Sequence, residues 1–330
     1  MRPFAGGNGV FTFILRRLLY SIPVLIAASF IIFTFVSISG DPLTGLRLNP
    51  HVRPATIHHI EERKHLDKPL IVQYGYWVKD AVFHGFGTTV LGDEPIGPDL
   101  TRVFGNTLQL IVAAELISIL LAIGIGVYSA VRQYSPFDYT ATTFSFIGFS
   151  TPIFWLALIA QMLVIRLNTA TNTHFLFVSQ LNSSTYTNFW VDRLEHLILP
   201  VCILAIAEIA AFSRYMRASM LEVINSDYVR TARAKGLSER KVIFKHAFRN
   251  ALIPLVTVVA LNFGALFGGA IVTETIFSLD GMGLYFIHAL GDRDVYPIMA
   301  WLMVTAVIVI VFNLVADVLY GLLDPRIRYE

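Results

Sequence analysis

The chain has 330 residues, 55 % apolar and 15 % charged, with a formal net charge of +2 and a mean hydropathy of +0.64. Soluble domains carry about 25 % charged residues, so the composition excludes an ordinary soluble domain and places the chain in the membrane class. The single cysteine, Cys202, lies in an apolar run without CxxC or Cys/His spacing, which argues against an intrachain disulfide, structural zinc or redox chemistry.

A crossing of the hydrocarbon core takes about 20 apolar residues, and six stretches qualify. Leu18–Gly40 follows Arg16-Arg17 and is too long for a cleaved signal segment, so it reads as an uncleaved first helix. Asn106–Val131 is interrupted only by Glu115. Tyr139–Ile165 is uncharged, with Pro152 expected to kink it. Leu197–Ser213 contains Glu208, Ala251–Thr273 is glycine-rich, and Tyr296–Ala316 lies between Asp294 and Asp317. Between the first two spans, Ala55–Lys79 has helical character and Gly92–Asp99 (GDEPIGPD) reads as a loop; Leu167–His196 reads as a second outer loop. The resulting division is an N-terminus over 1–17, a first membrane helix over 18–40, a cap over 41–105, a five-helix core over 106–322 and a tail over 323–330. The expected class is all-α, with six transmembrane helices.

Charge sets the orientation. With the N-terminus inside, the inner segments (to Arg17, Arg132–Asp138, Arg214–Asn250, and from Gly321) hold 15 Lys and Arg against 6 Asp and Glu. The outer segments hold 9 against 13. Positive residues favour the cytoplasmic side, so both termini are expected there.

The longest inner segment, 214–250, contains a polar, basic island from Asp227 to Pro254. It reads as two short helices joined at Gly236, a residue suited to a left-handed C′ position. Ser226 or Asp227 is placed to cap the first helix and Ser238 the second. Val242, Ile243, His246, Ala247 and Asn250 fall on one face at helical spacing. The plain alternative is a basic loop that only fixes topology.

Acids inside a membrane are costly and face protein or water. Glu115 and Glu208 are therefore candidates to line a pathway, with Asn262, Gln161 and Gln109 as weaker ones; the alternative is that the acids tie helices together. Gly124, Gly126, Gly264, Gly268 and Gly269 read as close-packing positions between helices, and Arg214 and Arg217 as side chains that snorkel to the inner headgroups. No GxSxG, HExxH or Walker A sequence is present, and no metal-ligating cluster stands out. A secondary carrier would show an inverted repeat, which the chain lacks. An intramembrane hydrolase would need a matched Ser/His or Asp/Asp pair.

Several motifs in order resemble one family across essentially the whole chain. These are RRLLYSIPVLIAASFIIFTFVSISGDP at the first span, DKPLIVQYGYW after it, and HLILPVCILAIAEIAAFSRYMRASMLEVINSDYVRTA before the island. TARAKGLSERKVIFKHAFRNALIP, ETIFSLDGMG and RDVYPI complete the set. Together they are similar to the permease subunit of binding-protein-dependent ABC transporters of the oligopeptide/dipeptide type. Three features depart from the pattern: Arg230-Thr231-Ala232 stands where the family has Glu-Ala-Ala, the usual Leu-Pro close is not at its standard distance although Pro254 follows later, and Asp280 precedes Gly281 where proline is frequent.

The resemblance implies a non-catalytic subunit of an importer in a bacterial cytoplasmic (inner) membrane, with the type I permease fold. Implied partners are a second homologous permease, two cytoplasmic ATPase subunits carrying ATP and magnesium, and an extracytoplasmic peptide-binding protein, with no nucleic acid and no cofactor on this chain. The cargo would be di- or oligopeptides, with nickel or another small solute as the alternative. The island would be the coupling element, with Tyr228, Ala232, Ala234, Gly236 and Leu237 against an ATPase and Arg233 and Lys235 meeting an acidic rim. Glu274, Gly281 and Gly283 would form an outer gate.

Overall fold

A computed structural model describes residues 8–174, 176–185 and 187–323. The tail expected over 323–330 and the first seven residues lie outside these, apart from Leu323. Among the described residues the regular structure is helical, and six helices are long and apolar enough to cross a membrane. These residues form two compact units, 8–107 with 280–310, and 108–279 with 311–323.

In the first unit, α1 (Asn8–Ser39) leads through a short α2 (Thr44–Arg47) into α3 (Pro54–Arg63) and α4 (Leu70–Phe83). The helical character expected over Ala55–Lys79 is thus divided between two helices. Phe33, Trp77, Val295 and Met299 form a small core, and Tyr74 stacks edge-on to Phe30 and Phe33 while sharing a hydrogen bond with Ser29 at 2.8 Å. Val295 and Met299 come from α14 (Val295–Leu323), whose residues to Ile310 belong here.

The segment expected to form a cap is tied to this core by polar groups, of which Lys64 and Asp294 are buried. The Lys64 ammonium donates to Thr88 Oγ1 and pairs with Asp93 at 2.8 Å, which holds the Asp93 carboxyl below its ordinary range. The Tyr296 hydroxyl donates to the Lys64 carbonyl at 2.8 Å, and the Val90 amide donates to Asp294 at 2.6 Å. Burial pushes the Asp294 carboxyl above its usual range.

The loop expected over Gly92–Asp99 ends sooner than its composition suggests. α5 (Ile96–Val131) starts at Ile96, ten residues before Asn106, because Pro98 and Asp99 suit a first helical turn.

The second unit is organised around α8 (Phe189–Ile224), the most buried of the six membrane helices. The span expected over Leu197–Ser213 is its middle; Pro200 is accommodated within it, and Asn188 caps it by accepting from the Trp190 amide at 3.0 Å. The loop expected over Leu167–His196 is correspondingly shorter. At its N-terminal side α7 continues to Thr171; at the other, His196 is buried inside α8 and stacked on Phe177.

The third span is not one kinked helix. Pro152 separates α6 (Pro136–Ser150) from α7 (Ile153–Thr171), since Thr151 takes the extended conformation that a following proline favours. One apolar cluster packs α7 and the N-terminal half of α8 with Phe277 and Leu279. A second packs Phe212, Met216 and Met220 of α8 against Val229, Val242, Ala247 and Leu255.

The glycines divide. A Cβ on Gly126 would lie 2.6 Å from Met216 Cβ and 2.8 Å from the Ser213 carbonyl, so α5 and α8 touch there through a residue without a side chain. Among the described residues, no atom outside the glycine's own helix backbone and chain neighbours lies within 4 Å of a Cβ built on Gly124 or Gly268, so packing within this chain does not account for those two.

Candidate functional site

The basic island differs from the expected pair of short helices. α9 (Asp227–Ala234) is a separate helix, but the stretch after Gly236 is the start of the fifth membrane helix. A turn, α10 (Glu239–Lys241), passes into a seven-residue π-helix, Val242–Phe248, and then α11 (Arg249–Gly269). The wider turn of a π-helix places residues five apart in line. Val242 and Ala247 are both fully buried, which α-helical spacing alone would not align.

Neither expected serine cap forms. The Ser226 hydroxyl donates back to the Val223 carbonyl at 2.6 Å, Ser238 makes no side-chain cap, and the Asp227 side chain is fully exposed. Gly236 does adopt the left-handed region, at φ +73°, and its amide donates to the Arg233 carbonyl at 2.9 Å. That conformation suits a residue without Cβ.

The seven residues expected to meet an ATPase do not share one surface. Val229 and Ala232 are buried in the inner cluster, so Ala232 faces this chain's own core. Arg233 forks onto Glu239 across the turn, with Nη2 at 2.8 Å from Oε1, so its charge is already engaged within the loop. Tyr228, Ala234, Lys235, Gly236 and Leu237 are exposed, and the Tyr228 hydroxyl accepts from Asn250 at 3.0 Å. Phe244, 58 % exposed on the π-helix, is a further exposed apolar residue of this segment and was not anticipated from the sequence.

Behind the loop lies a joint that the sequence reading also missed. Arg217 of α8 grips Asp138 of α6 through Nε at 2.6 Å and Nη2 at 2.8 Å. Ser129 donates to the same carboxylate, as does the Tyr134 amide at 2.9 Å. The Arg217 guanidinium, followed by these neutral donors, holds the Asp138 carboxyl well below the usual range. Arg217 therefore does not simply snorkel. Arg214 lies over the faces of Phe149 and Phe146, 4.3 and 5.3 Å from their centroids. A local signal for Asp138 existed: Ser135-Pro136 opens α6, and the Ser135 hydroxyl accepts from the Asp138 amide at 3.2 Å.

The candidate pathway residues separate into two groups. Gln161 is a staple, its amide donating to the carbonyls of Val178 at 2.7 Å and Ile276 at 3.1 Å. Gln109 likewise accepts from Arg193. Glu208, by contrast, is only partly buried and accepts from Asn262 at 2.7 Å. Glu115 is 2 % exposed, and neither of its carboxyl oxygens has a hydrogen-bond partner among the described residues. At the expected outer gate, Glu274 is fully buried in α12 (Ile271–Ile276), within the second unit. Gly281 and Gly283 are buried at the start of α13 (Met282–Asp292), in the first unit, where the Met282 amide donates to Thr107 at 2.7 Å.

A family described as "Binding-protein-dependent transport system inner membrane component" matches residues 122–329. Its N-terminal companion, "Binding-prot-dependent transport system membrane comp, N-term", matches residues 10–118. The chain belongs to this permease family. It is 39 % identical over 320 residues to the oligopeptide transport system permease protein AppB of Bacillus subtilis, covering 96 % of this chain and 99 % of that relative. The dipeptide transport system permease protein DppB of Escherichia coli K12 is 36 % identical over 335 residues, with 96 % and 99 % covered. Among solved structures, the inward-facing MetNI methionine ABC transporter matches with a TM-score of 0.54 at 14 % identity, over 68 % of this chain and 96 % of that one. That likeness speaks to the fold. The chain is thus a multi-pass membrane protein with a permease fold.

Proposed function

We propose that the chain is one of two homologous membrane subunits of an ATP-driven importer of di- and oligopeptides, in a bacterial inner membrane with both termini cytoplasmic. The observation that carries this reading is similarity to oligopeptide and dipeptide permeases over nearly the full length of both partners. The exposed turn at Gly236, flanked by Tyr228, Lys235 and Leu237, supports it as a surface for an ATPase groove. In this reading the subunit performs no covalent chemistry. Two cytoplasmic ATPases would hold ATP and magnesium, and an extracytoplasmic peptide-binding protein would deliver the cargo.

Movement would enter through α9 and the Gly236 turn. Because α10, the π-helix and α11 are continuous, a push on the turn passes directly into a membrane helix rather than through a flexible linker. A switch of this kind needs partner contacts that differ between two states.

The test is reconstitution of the purified assembly in lipid vesicles with its binding protein, ATP and a labelled dipeptide. Uptake that stops without ATP supports the proposal. A chain that purifies alone and moves solute down an ion gradient without ATP overturns it.

A further inference from the structure

We propose that Glu208, braced by Asn262, holds the protonated amino terminus of a peptide midway across the membrane, with Glu115 as a second carboxyl beside it. This rests on the peptide reading above.

Glu208 lies near the centre of the 36-residue α8. A carboxylate at that depth is costly against hydrocarbon and belongs against protein or water. Glu208 is nevertheless partly exposed. The patch of α8 and α11 that carries it is therefore not a lipid-facing one.

One oxygen of Glu208, Oε2, is fixed by the Asn262 amide at 2.7 Å, and no donor is bound at Oε1 among the described residues. Glu115 lies one turn before Ser118 on α5, and the Ser118 hydroxyl reaches the Ala205 carbonyl of α8 at 3.4 Å, which sets this part of α5 against α8 close to Glu208. Glu115 is almost fully enclosed, with both carboxyl oxygens lacking a donor. Among the described residues neither acid is paired with a lysine, arginine or histidine. Two acids without a cation, one enclosed and one partly exposed, leave a place for a positively charged group that brings its own N–H donors.

An ammonium group meets that requirement. It supplies three donors and a compact charge to the free oxygen of Glu208. A metal ion does not fit, because no group of three or more His, Cys, Asp or Glu that could hold one occurs among the described residues. Asn262 would serve as the positioning residue, keeping the Glu208 carboxyl turned outward from α8.

The experiment uses the complete transporter in nanodiscs, without the binding protein, and measures equilibrium binding of radiolabelled alanyl-alanine. Wild type is expected to bind it, and N-acetyl-alanyl-alanine to compete poorly. Glu208→Gln should bind about tenfold or more weakly, as expected for loss of a hydrogen-bonded charge. Asn262→Ala should weaken binding by a smaller factor. Equal binding by Glu208→Gln, equal competition by the acetylated peptide, or no binding by a wild type that imports the dipeptide would each overturn the assignment. Loss of the second permease from purified Glu208→Gln would also overturn it, since the carboxylate would then serve a subunit contact. ATP-driven uptake with the binding protein present separates the two levels. Failure of wild type to import any dipeptide removes the peptide reading itself, whereas import with unaltered binding by Glu208→Gln removes only this inference.

Discussion

Arg217 and Asp138 meet in a two-pronged ion pair, Nε to Oδ1 at 2.6 Å and Nη2 to Oδ2 at 2.8 Å. The carboxylate is buried and also accepts from Ser129 and the Tyr134 amide. Removing Arg217 would leave a buried charge with only neutral donors, and breaking such a pair costs about 3 kcal/mol. Arg217→Ala should therefore unfold at a markedly lower temperature than wild type in detergent. Arg217→Lys should recover only part of the loss, because an ammonium cannot reproduce the fork.

The same pair gives a signed pH dependence. The folded carboxyl titrates below its ordinary value, so its contribution is present above the unfolded pKa of about 4 and disappears as pH falls through the lower folded value. The difference in unfolding temperature between wild type and Asp138→Asn should be flat from about pH 5 to 8 and shrink below about pH 4. A difference that instead grows on acidification would show that the carboxyl is not stabilised by this pair.

Gly126 and Gly124 should respond oppositely to alanine. At Gly126 the new methyl would meet Met216 and the α8 backbone, and overpacking of this kind costs about 1–3 kcal/mol. At Gly124 the space is open, so alanine should be neutral or slightly stabilising through its helix propensity. Thermal unfolding of the two single variants decides the matter, and equal effects would contradict the contact.

On the inner loop, exposed and buried residues of α9 should separate. Tyr228→Ala and Leu237→Ala should leave the unfolding temperature close to wild type but weaken ATPase co-purification or ATP-driven uptake. Ala232→Glu should lower the unfolding temperature itself, because it forces a charge into the inner apolar cluster. Gly236→Ala should cost about 1 kcal/mol from backbone strain and Gly236→Asn less, since asparagine tolerates φ near +73° better than alanine does.

Gln161→Leu would leave the carbonyls of Val178 and Ile276 without their shared donor. The expected cost is about 1–3 kcal/mol. The segment from residue 172 to 188 should then be cut faster by an added protease, with uptake less affected than by Glu208→Gln.

The sequence alone determined the class and the family. Six apolar runs of membrane-crossing length, with acids and basic loops between them, are composition and periodicity, and those properties survive without knowledge of any contact. Gly236 was legible for the same local reason, because a left-handed turn after a short helix selects a residue without Cβ. The permease family is legible in the ordered motifs themselves.

Only the tertiary structure decided which polar groups meet. Arg217 and Asp138 are 79 positions apart, and Gln161 and Ile276 are 115 apart. No local pattern encodes such partners. The inward turn of Ala232 and the π-helix after Lys241 were also hidden, because both depend on how α9 and α11 pack against α8. The serine caps failed for a related reason: propensity allowed them, but the Ser226 hydroxyl found a closer acceptor in the preceding turn. The chain's own chemistry sets where it crosses a membrane, and long-range packing sets which of its charges remain open.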